Sequence, residues 1–195
     1  MRNKGFGGIV MATAVICEFN PFHNGHKYLL ESAKNVLKEP VIAIMSGSFT
    51  QRGEVAVCDK FVRAKSALEN GADLVLELPV VFSLSGAEGF ARAGVAIASA
   101  FDCTNHLAFG SESGDCELLK RSANAVCDER VQALVRDGMK NGGYYPRELE
   151  SAVKAVFGDG VSSVLCKPNN ILAVEYIKAS VSYTHLRAHE TGRNL

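Results

Sequence analysis

Residues 13–26 read TAVICEFNPFHNGH. The first seven are β-rich, and Asn20-Pro21 then stops any central strand, because proline brings no N–H to a ladder. From Gly25 the spacing of Tyr28, Leu29, Ala33, Val36 and Leu37 predicts a helix over residues 25–37. A strand, a tight turn and a helix in immediate succession are the opening of an α/β unit. The alternation then repeats. Strands are expected over residues 41–45, 74–78 and 105–109, and helices over residues 59–70 and 85–100. Asp59 is the expected N-cap of the second helix, and Asn70-Gly71 its stop.

Short connections, and strands without clean in/out alternation, predict a Rossmann-like parallel sheet with helices on both faces. In such sheets ligands bind where strand ends meet helix starts. Residues 116–180 read as helical, broken at residues 141–143, 158–160 and 167–168. The expected organisation is a Rossmann-like core over residues 11–115, followed by a helical segment over residues 116–180 that completes the site.

The chain has 195 residues, 47% of them apolar, with 21 Lys+Arg against 21 Asp+Glu and no tryptophan. Zero formal charge and no basic tract argue against a polyanion-binding surface spread over the whole molecule. The apolar runs are strand-sized, far below the ~18 residues of a membrane span. No segment has the form of a signal peptide. The six cysteines, at positions 17, 58, 103, 116, 127 and 166, show no metal-ligand spacing, which predicts reduced, mostly buried thiols in a cytoplasmic protein.

Chemistry concentrates in Asn20-Pro21-Phe22-His23-Asn24-Gly25-His26. Two histidines at a helix N-terminus stand where free backbone N–H groups and the helix dipole favour a phosphate. Their N–H groups suit charge developing on an α-phosphate. A capped turn carrying a surface histidine pair is the bland alternative. A zinc site would need a third or fourth ligand, and no Cys or His lies nearby in the sequence. Arg52 follows the second strand on the same rim, a position for phosphate contact. Lys60 and Arg63, three apart, are expected on one helix face, either as a solvated pair or as phosphate contacts. Glu112 suits a metal, a ribose hydroxyl or a helix cap.

Five collinear blocks carry a resemblance: EFNPFHNGH (18–26), MSGSFTQRGE (45–54), DKFVRAKSALENGADLVLELP (59–79), FGSESGD (109–115) and KPNNILAVEYIKA (167–179). His23-Asn24-Gly25-His26 resembles the HxGH signature of the nucleotidyltransferase superfamily. Together the blocks resemble the bacterial tRNA(Met) cytidine acetate ligase family, from about residue 11 to residue 180. The resemblance implies a HUP/nucleotidyltransferase fold. It also implies activation of acetate by ATP as acetyl-adenylate, then acetyl transfer to N4 of the wobble cytidine of elongator tRNA(Met). It places ATP on Ile16, Cys17, Glu18, Phe19, Asn20, Pro21, Phe22, His23, Asn24, Gly25, His26, Lys27, Tyr28 and Leu29, and on Gly110 and Asn169. His23 and His26 are the implied catalytic residues, with Mg²⁺ accompanying ATP.

Members of that family are about twice as long. Residues 1–10 are expected to be a spurious N-terminal extension, and SYTHLRAHETGRNL, at the C-terminal end, to be non-native sequence standing where a tRNA-binding part would follow. Without residues 1–10 and 181–195, 17 cations and 20 anions remain, a mildly acidic segment. The competing expectations are an adenylyltransferase acting on a small phosphorylated metabolite and a nucleotide- or RNA-binding module without turnover.

Overall fold

A computed structural model describes residues 11–181 and 187–193. Strands β1 (Ala12–Cys17), β2 (Val41–Ser46), β3 (Leu74–Leu78), β4 (Thr104–Ser111) and β5 (Arg187–Arg193) form one sheet in the order β3-β2-β1-β4-β5, parallel throughout. The chain runs outward from β1 to β3, then returns to β1's other side for β4. The C-terminal ends of β1 and β4 therefore frame a topological switch point, where a crevice opens.

β1 and β2 are buried along their whole length. Ala12, Ala14 and Ile16 pack into one core with helix α4 (Ala87–Ser99) and the later helices. Val15 and Cys17 pack into another with helix α1 (Asn24–Leu37) and Ala67 of helix α2 (Lys60–Glu69). Alternate residues thus feed opposite faces, and both faces are apolar. That is why these strands read as continuous runs in the sequence.

α4 approaches β1 closely at Gly94, where an added Cβ would lie 2.6 Å from Ile16 Cδ1. Gly94→Ala is expected to cost about 1–3 kcal/mol, because Ile16 is pinned within the sheet. Urea denaturation measures it, and an unchanged midpoint would contradict so tight a contact.

Helices α5 (Cys116–Cys127), α6 (Glu129–Lys140), α7 (Tyr145–Phe157), α8 (Asp159–Ser162) and α9 (Pro168–Val181) follow, with a 3₁₀ turn at Ser163–Cys166. The break expected at residues 141–143 falls between α6 and α7 and that at residues 167–168 falls at the start of α9, whereas that at residues 158–160 narrows to Gly158 because α8 already starts at Asp159. The break at Asp128, whose side chain accepts from Arg130 N at 2.9 Å, carried no glycine or proline to announce it.

Several expectations are corrected. β1 ends at Cys17 rather than Phe19, because Phe19 turns into the left-handed region at φ 49°. A short helix, α3 (Val80–Ser83), follows Pro79, which seats it as N-cap. β4 runs on to Ser111, two residues past its expected end, so Gly110 lies within it. β5 forms in a stretch that shows no apolar periodicity, pairing with β4 from His106↔Arg187 to Ser111↔Arg193 with a register shift between Phe109 and Ser111. A ladder is made by backbone groups, and of this strand Ala188 packs against the core. Residues 1–10, expected to be a spurious N-terminal extension, lie outside the described residues. Only Cys17 among the six cysteines is buried, while Cys127 and Cys166 are exposed; all six are free thiols. Among the described residues no helix is long and apolar enough to cross a membrane.

Candidate functional site

The crevice at the switch point is a cavity of about 380 Å³. Ile16 and Cys17 of β1 line it, with Glu18, Phe19 and Asn20 from the loop that follows. His23, His26 and Leu29 come from the start of α1, and Thr50, Arg52 and Glu54 from the loop after β2. Phe90 of α4, Phe109 and Gly110 of β4, and Asn169, Leu172 and Tyr176 of α9 complete the wall.

His23 is the N-cap of α1, and its Nδ1 accepts from Gly25 N at 3.1 Å. His26 Nδ1 accepts in turn from His23 N at 3.3 Å, so the two rings form a reciprocal capping box. They stack with centroids 3.6 Å apart and 25° between planes. With both Nδ1 atoms used as acceptors, the hydrogen-bond network leaves Nε2–H as the donor of each ring. The pair therefore offers two N–H donors at the positive end of a helix. The Phe19 ring, fully buried, supports His26 at 4.9 Å, and Phe22 supports it at 5.7 Å.

Burial first, and the charge of the neighbouring His23 second, hold the His26 pKa down from 6.5 to about 4. At neutral pH the ring is therefore uncharged. The folded protein refuses a proton that the unfolded chain accepts between pH 6.5 and 4. This contribution to stability is complete above pH 6.5 and falls as pH is lowered toward 4. Urea midpoints of the wild-type protein are expected to drop across that window, and those of His26→Gln to drop less. Parallel curves would contradict the burial of a neutral ring.

The loop after β1 is held by the loop after β2. Glu18 Oε1 accepts from Gln51 N at 2.5 Å, and Asn20 Oδ1 from Val57 N at 2.7 Å. Arg63 binds both loops from below. It is 1% exposed, donating to the carbonyls of Cys58 (3.1 Å), Glu18 (2.5 Å), Ser46 (3.2 Å) and Gly47. This corrects the expected Lys60–Arg63 contact face. Lys60 pairs with Glu77 at 2.7 Å, Arg63 is interior, and neither lines the cavity. Phe61 and Val62, apolar in sequence, are exposed on α2 instead.

Glu112 is a helix cap. Its two carboxylate oxygens accept from Asn169 N (3.1 Å) and Asn170 N (2.8 Å) at the start of α9, while buried Asn170 Oδ1 accepts from Glu112 N (2.9 Å) and Ser113 N (3.0 Å). This clasp ties α9 to the end of β4 and brings Asn169 into the cavity beside Gly110.

Of the expected contact stretch, Pro21, Phe22, Asn24, Gly25, Lys27 and Tyr28 shape the turn and helix without lining the cavity. Thr50, Glu54, Phe90, Phe109, Leu172 and Tyr176 line it unforeseen. Thr50, Glu54, Phe109, Leu172 and Tyr176 lie inside three of the collinear blocks, but nothing local in the sequence says which side of a strand or helix faces a ligand. Phe90 lies outside all five blocks. No group of three or more His, Cys, Asp or Glu among the described residues is placed to hold a metal ion.

The sequence matches the family described as HIGH Nucleotidyl Transferase over residues 10–194. The chain belongs to that family. Similar proteins include a tRNA(Met) cytidine acetate ligase of Fervidobacterium nodosum, 40% identical over 173 residues, which are 87% of this chain and 40% of that protein. The enzyme of the same name from Lysinibacillus sphaericus is 41% identical over 174 residues, 87% of this chain and 43% of that one. This chain thus spans about 40% of the length of the curated relatives. Thermotoga maritima TmcAL bound with alpha-thio ATP superposes with TM-score 0.86 at 40% identity, covering 94% of this chain and 47% of that one. Its apo form gives TM-score 0.87 at 39% identity, covering 95% and 46%.

Proposed function

We propose that the cavity binds ATP and adenylates acetate, and that the acetyl group then passes to N4 of the wobble cytidine of elongator tRNA(Met). The observation that carries this reading is the stacked His23–His26 pair, with both Nδ1 atoms taken up in the cap and both Nε2–H groups left to donate in a cavity at the N-terminus of α1. The names of the relatives and the ATP analogue on the Thermotoga maritima protein support it.

Acetate is ionised at neutral pH, so its attack on the α-phosphorus needs no general base. The reaction needs alignment, and donors for charge growing on the phosphoryl oxygens. His23 and His26 supply those donors from a rigid cap. In the second step the cytidine amine displaces AMP from acetyl-adenylate and loses one proton. Gly110 and Asn169 hold the nucleoside end, with the stretch from Ile16 to Leu29 around the phosphates and Arg52 at the rim. Lys60 and Arg63, committed to Glu77 and to backbone carbonyls, are left out of the contact set.

Glu18 and Glu54 are the carboxylates that line the cavity, and either would be an oxygen ligand for a Mg²⁺ that arrives on ATP phosphates and keeps most of its waters. Bound there, Mg²⁺ would neutralise phosphate charge. Incubation with ATP, labelled acetate and elongator tRNA(Met) tests the proposal. Label on the wobble cytidine with release of AMP is expected. Transfer of AMP onto a phosphomonoester, with none onto acetate, would overturn it.

A further inference from the structure

α9 turns one stripe into the cavity, with Asn169, Leu172 and Tyr176 at positions i, i+3 and i+7. Tyr176 is 4% exposed, and its ring lies 5.8 Å from that of Phe109. Among the described residues its hydroxyl makes no hydrogen bond, and it is not one of the buried polar atoms sealed off without a partner, so it stays open to the cavity. Buried polar groups in folded proteins are almost always paired, so a phenol left open in a cavity wall is placed for a ligand atom. Burial, foremost, and the nearby Cys17 and Glu18 raise its pKa, so it stays a neutral donor.

Ile16, Phe90, Phe109 and Leu172, all apolar, line the same cavity and share one hydrophobic core cluster with it. The Cys17 thiol already donates to Ile44 O at 3.7 Å, and Glu18 is engaged by Gln51 N–H. The one cation of the described lining, Arg52, is exposed. A nucleobase edge asks for two or more complementary polar groups, and a phosphate asks for charge. A single phenol among apolar walls suits one oxygen of a small carboxylate whose short tail is hydrocarbon.

We infer that Tyr176 is a binding residue for the carboxylate nucleophile: its O–H donates to one carboxylate oxygen, and Ile16, Phe90, Phe109 and Leu172 enclose the methyl group. The inference rests on the adenylation reading above. A neutral donor holds the anion without forming the ion pair that would quench its nucleophilicity. The second oxygen is then free to bond the α-phosphorus as the bond from that phosphorus to the bridging oxygen breaks. Pyrophosphate leaves with the electron pair, and Tyr176 keeps its proton throughout.

Tyr176→Phe in the 195-residue chain, assayed by acetate-dependent ATP–pyrophosphate exchange, tests this. Loss of a hydrogen bond to an ionised group is expected to raise the KM for acetate about 10- to 100-fold. The KM for ATP is expected to change less than about twofold, because the nucleotide does not use the phenol. An unchanged acetate KM would overturn the inference and leave packing as the role of Tyr176. An equal rise in both KM values would overturn it in favour of a nucleotide contact. Absence of any acetate-dependent exchange in the wild-type protein would instead overturn the adenylation reading, and this inference with it. If the variant does not fold, the wild-type protein carries the test. Acetate should then produce a saturable tyrosine ultraviolet difference signal in the presence of a non-hydrolysable ATP analogue, and its absence would contradict the inference.

Discussion

His26→Asn is expected to lower kcat for acetate-dependent pyrophosphate exchange by about 10²- to 10³-fold, the usual loss when one preorganised donor to a developing oxyanion is removed. Asparagine is the informative replacement. Its side-chain oxygen can reach where Nδ1 stands and go on accepting from His23 N, which His26 does at 3.3 Å, but nothing then occupies the Nε2 position. The helix cap is kept and the donor is lost. Alanine removes both, along with the ring that packs on Phe19 and Phe22, and so confuses catalysis with folding. Thermal unfolding beside the exchange assay separates the two effects. An Asn variant that keeps wild-type kcat would show that His26 only caps a helix.

Arg63→Met is expected to destabilise the fold by about 3 kcal/mol or more. Methionine retains much of the apolar stem, but it leaves the carbonyls of Cys58, Glu18, Ser46 and Gly47 without their donor. Hydrogen bonds from a charged group contribute about 1.5–3 kcal/mol each, and buried acceptors left unpaired cost a further desolvation penalty. Arg63→Lys should recover little, because an ammonium cannot span carbonyls contributed by three separate segments. Guanidinium or urea denaturation measures the loss. The variants should also lose ATP affinity, since the segments Arg63 joins carry Glu18, Asn20, Thr50 and Arg52 into the cavity. Near-wild-type stability of Arg63→Met would contradict the bracing role.

Arg63 also shows where sequence reading stops. In the run DKFVRAKSALE the helix itself is plain, and Asp59 caps it as expected, with its oxygen 2.8 Å from Phe61 N. Its orientation is the reverse of what hydrophobicity suggests, with arginine inside and Phe61 outside. Four carbonyls freed by two loops outweigh the burial of one ring, and those loops meet only in three dimensions. The parallel sheet, by contrast, was legible because β1 and β2 are buried on both faces and write that into unbroken apolar runs. The histidine pair was legible for a similar reason, since a cap, a turn and a glycine must be adjacent in the chain. Tyr176 and Phe90 were not, because their meeting with β1 depends on how α4 and α9 pack. β5 was missed because its ladder leaves little trace in side-chain pattern.

The central claim is that this cavity joins a carboxylate to AMP. Incorporation of labelled pyrophosphate into ATP, followed with and without acetate and without tRNA, addresses that step alone. Exchange that requires acetate, saturates with it and disappears in His26→Asn is the predicted result. Exchange that ignores acetate and appears only with a phosphomonoester would contradict the account.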